Sequence, residues 1–338
     1  MIDLPTTCWY GLYAIGGIAV TAIGLLVLSA AWILIHYVPI VVRLIGQAPL
    51  LVAEPSEALD GASDCAFQTA DGCTLRGTYL PTTAAERRGV VVFGHELNGD
   101  RWNATPYVRE LLSAGYEVLT FDFRNHGASD ADAKQMLRPW LSPADAADML
   151  AAVDYACSRF STDRTGVGIL GISRGGTAGV FAAAQDPRVK CLFTDGAYPT
   201  TETHRIYLRR YLDIYIPRQW HFISRRLPDW VFNGILSLGS RWWCFRHGYK
   251  FLDVEKAARD VRIPVQMVHG QRDTMIPLAA ADTLRRCVSG PIKMWVVPGA
   301  KHNQAIAVEP AEYRRRLVAF FDAHLARSRE PVTTAART

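Results

Sequence analysis

The chain is predicted to be an α/β protein, with a mostly parallel central sheet, helices on both faces, an inserted helical cap and an N-terminal transmembrane helix. Three observations predict it. Short, β-branched apolar runs alternate with helical periodicities from residue 65 to 326. A glycine-framed serine, Gly171-Ile172-Ser173-Arg174-Gly175, falls between one such strand and one such helix. Only two stretches break the alternation: an uncharged one at the start, and an aromatic, basic one between Thr200 and Asp260. At 338 residues and 49% hydrophobic content the chain can bury one full core beside an anchor or an inserted subdomain.

From Leu4 to Val42 there is no Asp, Glu, Lys or Arg. Gly11 to Ile35 is apolar enough to cross a bilayer at about 1.5 Å per residue, so residues 1–43 read as a single-pass anchor. Trp9, Tyr10 and Tyr13 at one end and Trp32, His36 and Tyr37 at the other resemble interfacial belts. A signal peptide would carry basic residues before a shorter apolar run, and this start has only Asp3; Ser29-Ala30-Ala31 keeps cleavage open. Arg43 follows the span, which favours an external N-terminus and a cytoplasmic catalytic domain. Residues 44–63, with Pro49 and Pro55, read as a linker.

Cys65–Thr69 and Cys73–Leu80 form an opening hairpin around Asp71-Gly72. Strands are then expected at Gly89–Gly94, Glu117–Phe121, Gly166–Leu170, Val189–Thr194, Pro264–Val268 and Ile292–Val297. Helices are expected near 105–114, 143–158, 174–185, 278–288 and 310–326, the second opening with Ser142 as N-cap and Pro143 at its first position. The main domain is therefore 64–326, and 327–338 is a tail. Seven scattered cysteines without a C-x-x-C pair suggest free thiols in a reducing compartment.

The inserted cap, 199–260, contains twelve Tyr, Trp or Phe between Thr200 and Asp260, and eleven Lys/Arg against five Asp/Glu from 199 to 259. It is expected over the sheet's active edge. That composition suits a cover for an apolar acyl pocket, a membrane contact through Trp242, Trp243 and Phe245, or simply a small aromatic core. No nucleic-acid partner is implied, since no basic run interleaves with a recognition motif.

Ser173 sits where a strand turns sharply into a helix, and a side chain at Gly171 or Gly175 would collide with that turn. A serine hydroxyl needs a base, and the base needs an acid to hold its tautomer. Asp273 follows one late strand and His302 follows the next, so both reach the edge that bears Ser173. Seven of the nine histidines are placed elsewhere: His36 in the anchor, His126 and His269 in turns, His204, His221 and His247 in the cap, and His324 in the last helix. His302 is thus the favoured base. Asp122 and Asp195 also follow strands and compete with Asp273 as the acid.

With Gly171–Gly175, the strand-end segment Phe121-Asp122-Phe123-Arg124-Asn125-His126-Gly127-Ala128-Ser129, the His269-Gly270 to Asp273 loop and the Gly299 to His302 loop in place, the chain resembles an α/β-hydrolase. It is similar to the serine aminopeptidase-like and membrane-anchored acyl-hydrolase branches, over roughly residues 65–326. The resemblance implies Ser173 as nucleophile, His302 as general base and then acid, and Asp273 as its orienter. It implies no metal and no organic cofactor. The backbone amides of Arg174 and Leu97 are the expected oxyanion donors, with Glu96 as fallback. Glu96 stands where glycine is usual after His95, and is expected to turn away and pair with Arg174 or Arg124.

The expected activity is cleavage of an ester, thioester or amide in a small-molecule or lipid-like acyl substrate through an acyl-enzyme. Alternatives are an aminopeptidase-like serine peptidase, and a non-catalytic membrane-anchored binding protein that keeps the hydrolase shell.

Overall fold

The computed structural model describes residues 6–46, 57–133, 140–160, 166–215 and 218–325. The expected tail lies outside them, as does part of the linker. The chain divides into two compact units. The larger takes residues 48–206 and 248–338; the smaller joins residues 1–47 to 207–247.

The larger unit is built on an eight-stranded sheet in the order β1-β2-β4-β3-β5-β6-β7-β8. Its strands are β1 (Ser63–Gln68), β2 (Thr74–Leu80), β3 (Gly89–Gly94), β4 (Tyr116–Phe121), β5 (Val167–Ile172), β6 (Val189–Asp195), β7 (Val265–Gly270) and β8 (Ile292–Val297). β1 and β2 pair antiparallel, β2 joins β4 antiparallel, and every later pairing is parallel. The central strands β3 and β5 are buried along their whole length, which is why they read as unbroken apolar runs. β5 continues past the Leu170 end that the sequence predicts, through Gly171 and Ile172, whose partners on β6 are Thr194 and Asp195.

α2 (Thr105–Ser113), α3 (Pro143–Arg159), α4 (Arg174–Gln185), α9 (Leu278–Cys287) and α11 (Pro310–His324) are the expected helices, with the short α8 (Val254–Ala258) and α10 (Ala305–Val308) between them. α3 starts with a closed capping box: the Asp145 carboxylate accepts from the Ser142 amide at 2.7 Å and from its hydroxyl at 2.8 Å. On one side of the sheet Tyr107, Leu111, Phe193, Tyr313, Leu317 and Phe321 join a single buried cluster. This core leaves the carboxyl ends of the parallel strands as the place where loops from β3, β5, β6, β7 and β8 converge.

The stretch expected as one cap is divided between the units. Its two ends knit into the larger one, where the Glu255 carboxylate accepts from the amides of Thr200 at 3.0 Å and Glu202 at 2.9 Å, capping the first turn of α5 (Thr200–Tyr215). Tyr249 donates to the Trp140 carbonyl at 3.1 Å, and Leu252 to Leu141 at 3.0 Å.

The smaller unit holds α1 (Thr6–Gly46), the end of α5, α6 (His221–Ser224) and α7 (Asp229–His247), with α1 packed on α7. The Arg209 guanidinium lies over the Phe232 ring at 4.3 Å and pairs with Asp229. The membrane-crossing helix expected from the sequence is not established by the fold: among the described residues no helix is long and apolar enough to cross a membrane. In its place stands one 41-residue helix that runs past the apolar stretch through Pro39 and Arg43. Ile15, Ile18, Val20, Ile23, Leu25, Val27, Leu28 and Ile35 are exposed on it.

Candidate active site

β5 and α4 meet at Ser173, whose backbone adopts φ +47° and ψ −106°. A non-glycine residue there is strained, and the strain is held by close packing on both sides. A Cβ at Gly175 would fall 2.0 Å from the Gly94 carbonyl oxygen, and one at Gly171 would fall 2.4 Å from the Gly176 nitrogen. The Ser173 amide donates to the Asp195 carbonyl at 2.7 Å, fixing the turn to β6.

The structure brings Ser173, His302 and Asp273 together. Ser173 Oγ lies 2.9 Å from His302 Nε2, and His302 Nδ1 lies 2.6 Å from Asp273 Oδ2. The other Asp273 oxygen accepts from the amides of Met275 at 2.9 Å and Ile276 at 2.7 Å, so the carboxylate cannot swing. The acid and histidine loops are tied by Arg272 N to Ala300 O at 2.8 Å and by Gln271 N to Val297 O at 2.9 Å. That approach requires a glycine, since a Cβ at Gly270 would lie 2.5 Å from the Ala300 and Lys301 carbonyl oxygens. His269, expected in a turn, is instead the penultimate residue of β7; it bonds the Ile276 carbonyl through Nε2 at 2.8 Å and braces the Asp273 loop.

The competing acids are placed elsewhere. Asp122 accepts from the Arg101 amide at 2.7 Å, the Arg101 guanidinium at 2.7 Å and the Ala128 amide at 2.9 Å, and so closes its own turn. Asp195 is buried at the end of β6, beside the buried hydroxyl of Tyr313. Burial pushes its carboxyl up to about 7, against the nearby His302, which favours the charged form.

Leu97 is buried in the loop after β3. That loop is coupled to the elbow, because the Gly175 amide donates to the His95 carbonyl at 3.1 Å. The expected pairing of Glu96 with Arg174 or Arg124 does not form. Arg174 is taken by Asp145, with Nε 2.9 Å from Oδ1. Arg124 is taken by Asp148 at 2.7 Å and Asp71 at 2.7 Å. Arg174 thereby satisfies the buried Asp145 and Arg124 the buried Asp148, and Glu96 keeps a buried oxygen without a hydrogen bond among the described residues. Burial raises its carboxyl, with the field of His302 pulling the other way.

Two histidines that sequence reasoning did not assign to the site fix this loop. His95 Nε2 accepts from the Phe123 amide at 3.1 Å, so Nδ1 carries the proton and donates to the Glu96 carbonyl at 2.7 Å. His126 Nε2 faces the Asn98 amide at 3.3 Å, so its Nδ1 donates to the Arg124 carbonyl at 3.0 Å. Burial keeps both rings neutral, holding His95 well below the usual imidazole range and pushing His126 down to about 4. The signal available in sequence was the pair of strand-end motifs that carry them; their tautomers depend on contacts between loops. Among the described residues no group of three or more His, Cys, Asp or Glu is arranged to hold a metal ion.

The eight-stranded sheet with an elbow serine, a histidine and an acid at its carboxyl edge defines the class. The chain belongs to the alpha/beta hydrolase family, whose model matches residues 91–316. An uncharacterized protein of Mycobacterium tuberculosis is 24% identical over 253 residues, 75% of this chain and 76% of that one. A serine hydrolase of Mus musculus is 25% identical over 228 residues, 61% of this chain and 70% of its own. Among solved structures, an esterase of Pyrococcus furiosus superposes with a TM-score of 0.60 at 19% identity, covering 83% of this chain and 98% of that one. Family and relatives together support hydrolysis as the class of reaction.

Proposed function

We propose that the protein is a membrane-anchored serine hydrolase that cleaves an ester, thioester or amide of an apolar acyl substrate through an acyl-enzyme. The observation that carries this reading is the unbroken relay from Ser173 Oγ to His302 Nε2 at 2.9 Å and from His302 Nδ1 to Asp273 at 2.6 Å. With Nδ1–H donated to the carboxylate, Nε2 is left with its lone pair toward the serine hydroxyl. His302 takes the Ser173 proton as Oγ bonds the substrate carbonyl carbon. The resulting oxyanion is held by the amides of Arg174 and Leu97, the former at the N-terminus of α4, where the helix dipole favours negative charge. Collapse breaks the bond to the leaving group, which receives the proton from His302. Water then repeats the sequence, with His302 as base, and the acid leaves Ser173 free. No step calls on a metal or an organic cofactor.

The anchor is α1. Its support is the lack of charge from Leu4 to Val42 and the exposure of its apolar side chains. Arg43 just after the apolar run supports a cytoplasmic catalytic unit. Accessibility of the cysteines that follow the anchor, Cys65, Cys73, Cys157, Cys244 and Cys287, to an impermeant thiol reagent in intact cells of a Cys8→Ser variant tests the topology: labelling without permeabilisation overturns it.

Fluorophosphonate labelling of the purified protein, wild type against Ser173→Ala, tests the chemistry. Label on the wild type alone is expected, followed by turnover in a panel of esters and thioesters of graded acyl length. A wild type that does not label leaves the fold as a binding shell, and turnover of aminopeptides without esters makes it a peptidase.

A further inference from the structure

α7 carries two apolar faces. Phe232, Ile235, Leu236, Gly239 and Trp243 are buried on one. At about 100° per residue, Trp230, Leu238, Trp242 and Phe245 fall in an arc of about 120° on the other, where they are 74%, 46%, 50% and 88% exposed. Sequence grouped Trp242, Trp243 and Phe245 as one membrane contact; the helix separates them, with Trp243 only 2% exposed and Phe245 almost fully so. A helix apolar on both sides is stable only where something covers the second side.

Charge identifies the cover. The smaller unit carries eight Lys/Arg against three Asp/Glu, so the whole formal +5 of the chain resides there and the larger unit is balanced. Arg241 lies within the aromatic arc and Arg246 at its rim, and Arg210, Arg218, Arg225 and Arg226 are exposed in the same unit. Tryptophan and phenylalanine interleaved with arginine match the boundary between acyl chains and anionic headgroups. α7 also packs on α1, whose own exposed face is apolar.

We infer that α7 is a second membrane element, lying in the interface of an anionic leaflet with Trp230, Leu238, Trp242 and Phe245 toward the acyl chains and Arg241 and Arg246 at the phosphates. This rests on α1 as a bilayer anchor. It makes the substrate an amphiphile that is drawn from the leaflet rather than from water.

Full-length protein in phosphatidylcholine vesicles, with or without phosphatidylglycerol, tests it in three arms. Lipids brominated on the acyl chains are expected to quench the wild type more than Trp230→Phe/Trp242→Phe, and equal quenching overturns the inference. A Trp230→Ser/Trp242→Ser/Phe245→Ser variant is expected to lose about tenfold on a vesicle-borne ester while keeping its rate on a water-soluble ester. Equal loss on both overturns it, as does a change from dimer to monomer in this variant, which would make the occupant a second copy. Arg241→Gln/Arg246→Gln is expected to lose about tenfold of the preference for anionic vesicles. Should the wild type hydrolyse neither ester nor take the fluorophosphonate, the serine-hydrolase reading fails, and the quenching arm still decides the membrane contact.

Discussion

Asp195 sits one backbone hydrogen bond from the serine and does none of the work of the Asp273 relay. Its carboxyl titrates near 7 in the fold because it is buried, against about 4 in the unfolded chain. Between those values folding takes up a proton, so ionising Asp195 above neutrality opposes the folded state. Asp195→Asn is expected to gain stability over the wild type as pH rises from 4 to 7, reaching on the order of a few kcal/mol at pH 8 and nothing at pH 4. Urea unfolding at the two pH values checks it; a constant difference would refute the burial account. The Arg174–Asp145 pair behaves in the opposite sense. Both side chains are buried, so Asp145→Ala removes the carboxylate that compensates the Arg174 guanidinium and should cost about 3 kcal/mol, read as a fall in Tm. That Ser173, Asp273 and His302 would meet was legible in sequence because each follows a strand at the same edge. The partners of Glu96, Arg174, His95 and His126 were not, since those contacts join loops that sequence spacing leaves unrelated.

At the scale of elements, the elbow and the β3 loop act as one piece through the bond from Gly175 to His95. Gly175→Ala would drive a methyl into the Gly94 carbonyl, which only a backbone shift relieves. It is expected to cost on the order of 3 kcal/mol in stability. A displacement of about 1 Å at the serine should also lower kcat about a hundredfold. His126→Ala removes the acceptor facing the Asn98 amide and should lower kcat about tenfold with KM unchanged, while His126→Gln, which offers an oxygen there, should recover part of it. Steady-state kinetics on a soluble ester separates these outcomes. The strands were readable as elements because β-branched runs bounded by glycine and polar turns specify them locally. The inserted segment was readable only as a departure from that rhythm. Its division at Tyr207 and His247 follows from Glu255 capping α5 and from Tyr249 reaching Trp140, pairings with no local signature.

At the scale of the whole molecule, the smaller unit joins the first helix of the chain to a segment inserted after β6. Removing residues 1–47 should therefore disturb the smaller unit itself. It uncovers the side of α7 that packs on α1, and the shortened chain is expected to self-associate in sedimentation while Ser173 still takes a fluorophosphonate label. A monodisperse shortened chain would refute the pairing. There is also a consequence in time. α1 ends at Gly46 and α7 begins at Asp229, so at ordinary rates of synthesis the first helix exists for roughly 10 to 40 s before its partner is made. Six of the eight strands leave the ribosome in that interval. An apolar helix kept waiting so long needs shelter that the protein itself does not yet provide, so where α1 is received decides where the rest of the chain folds.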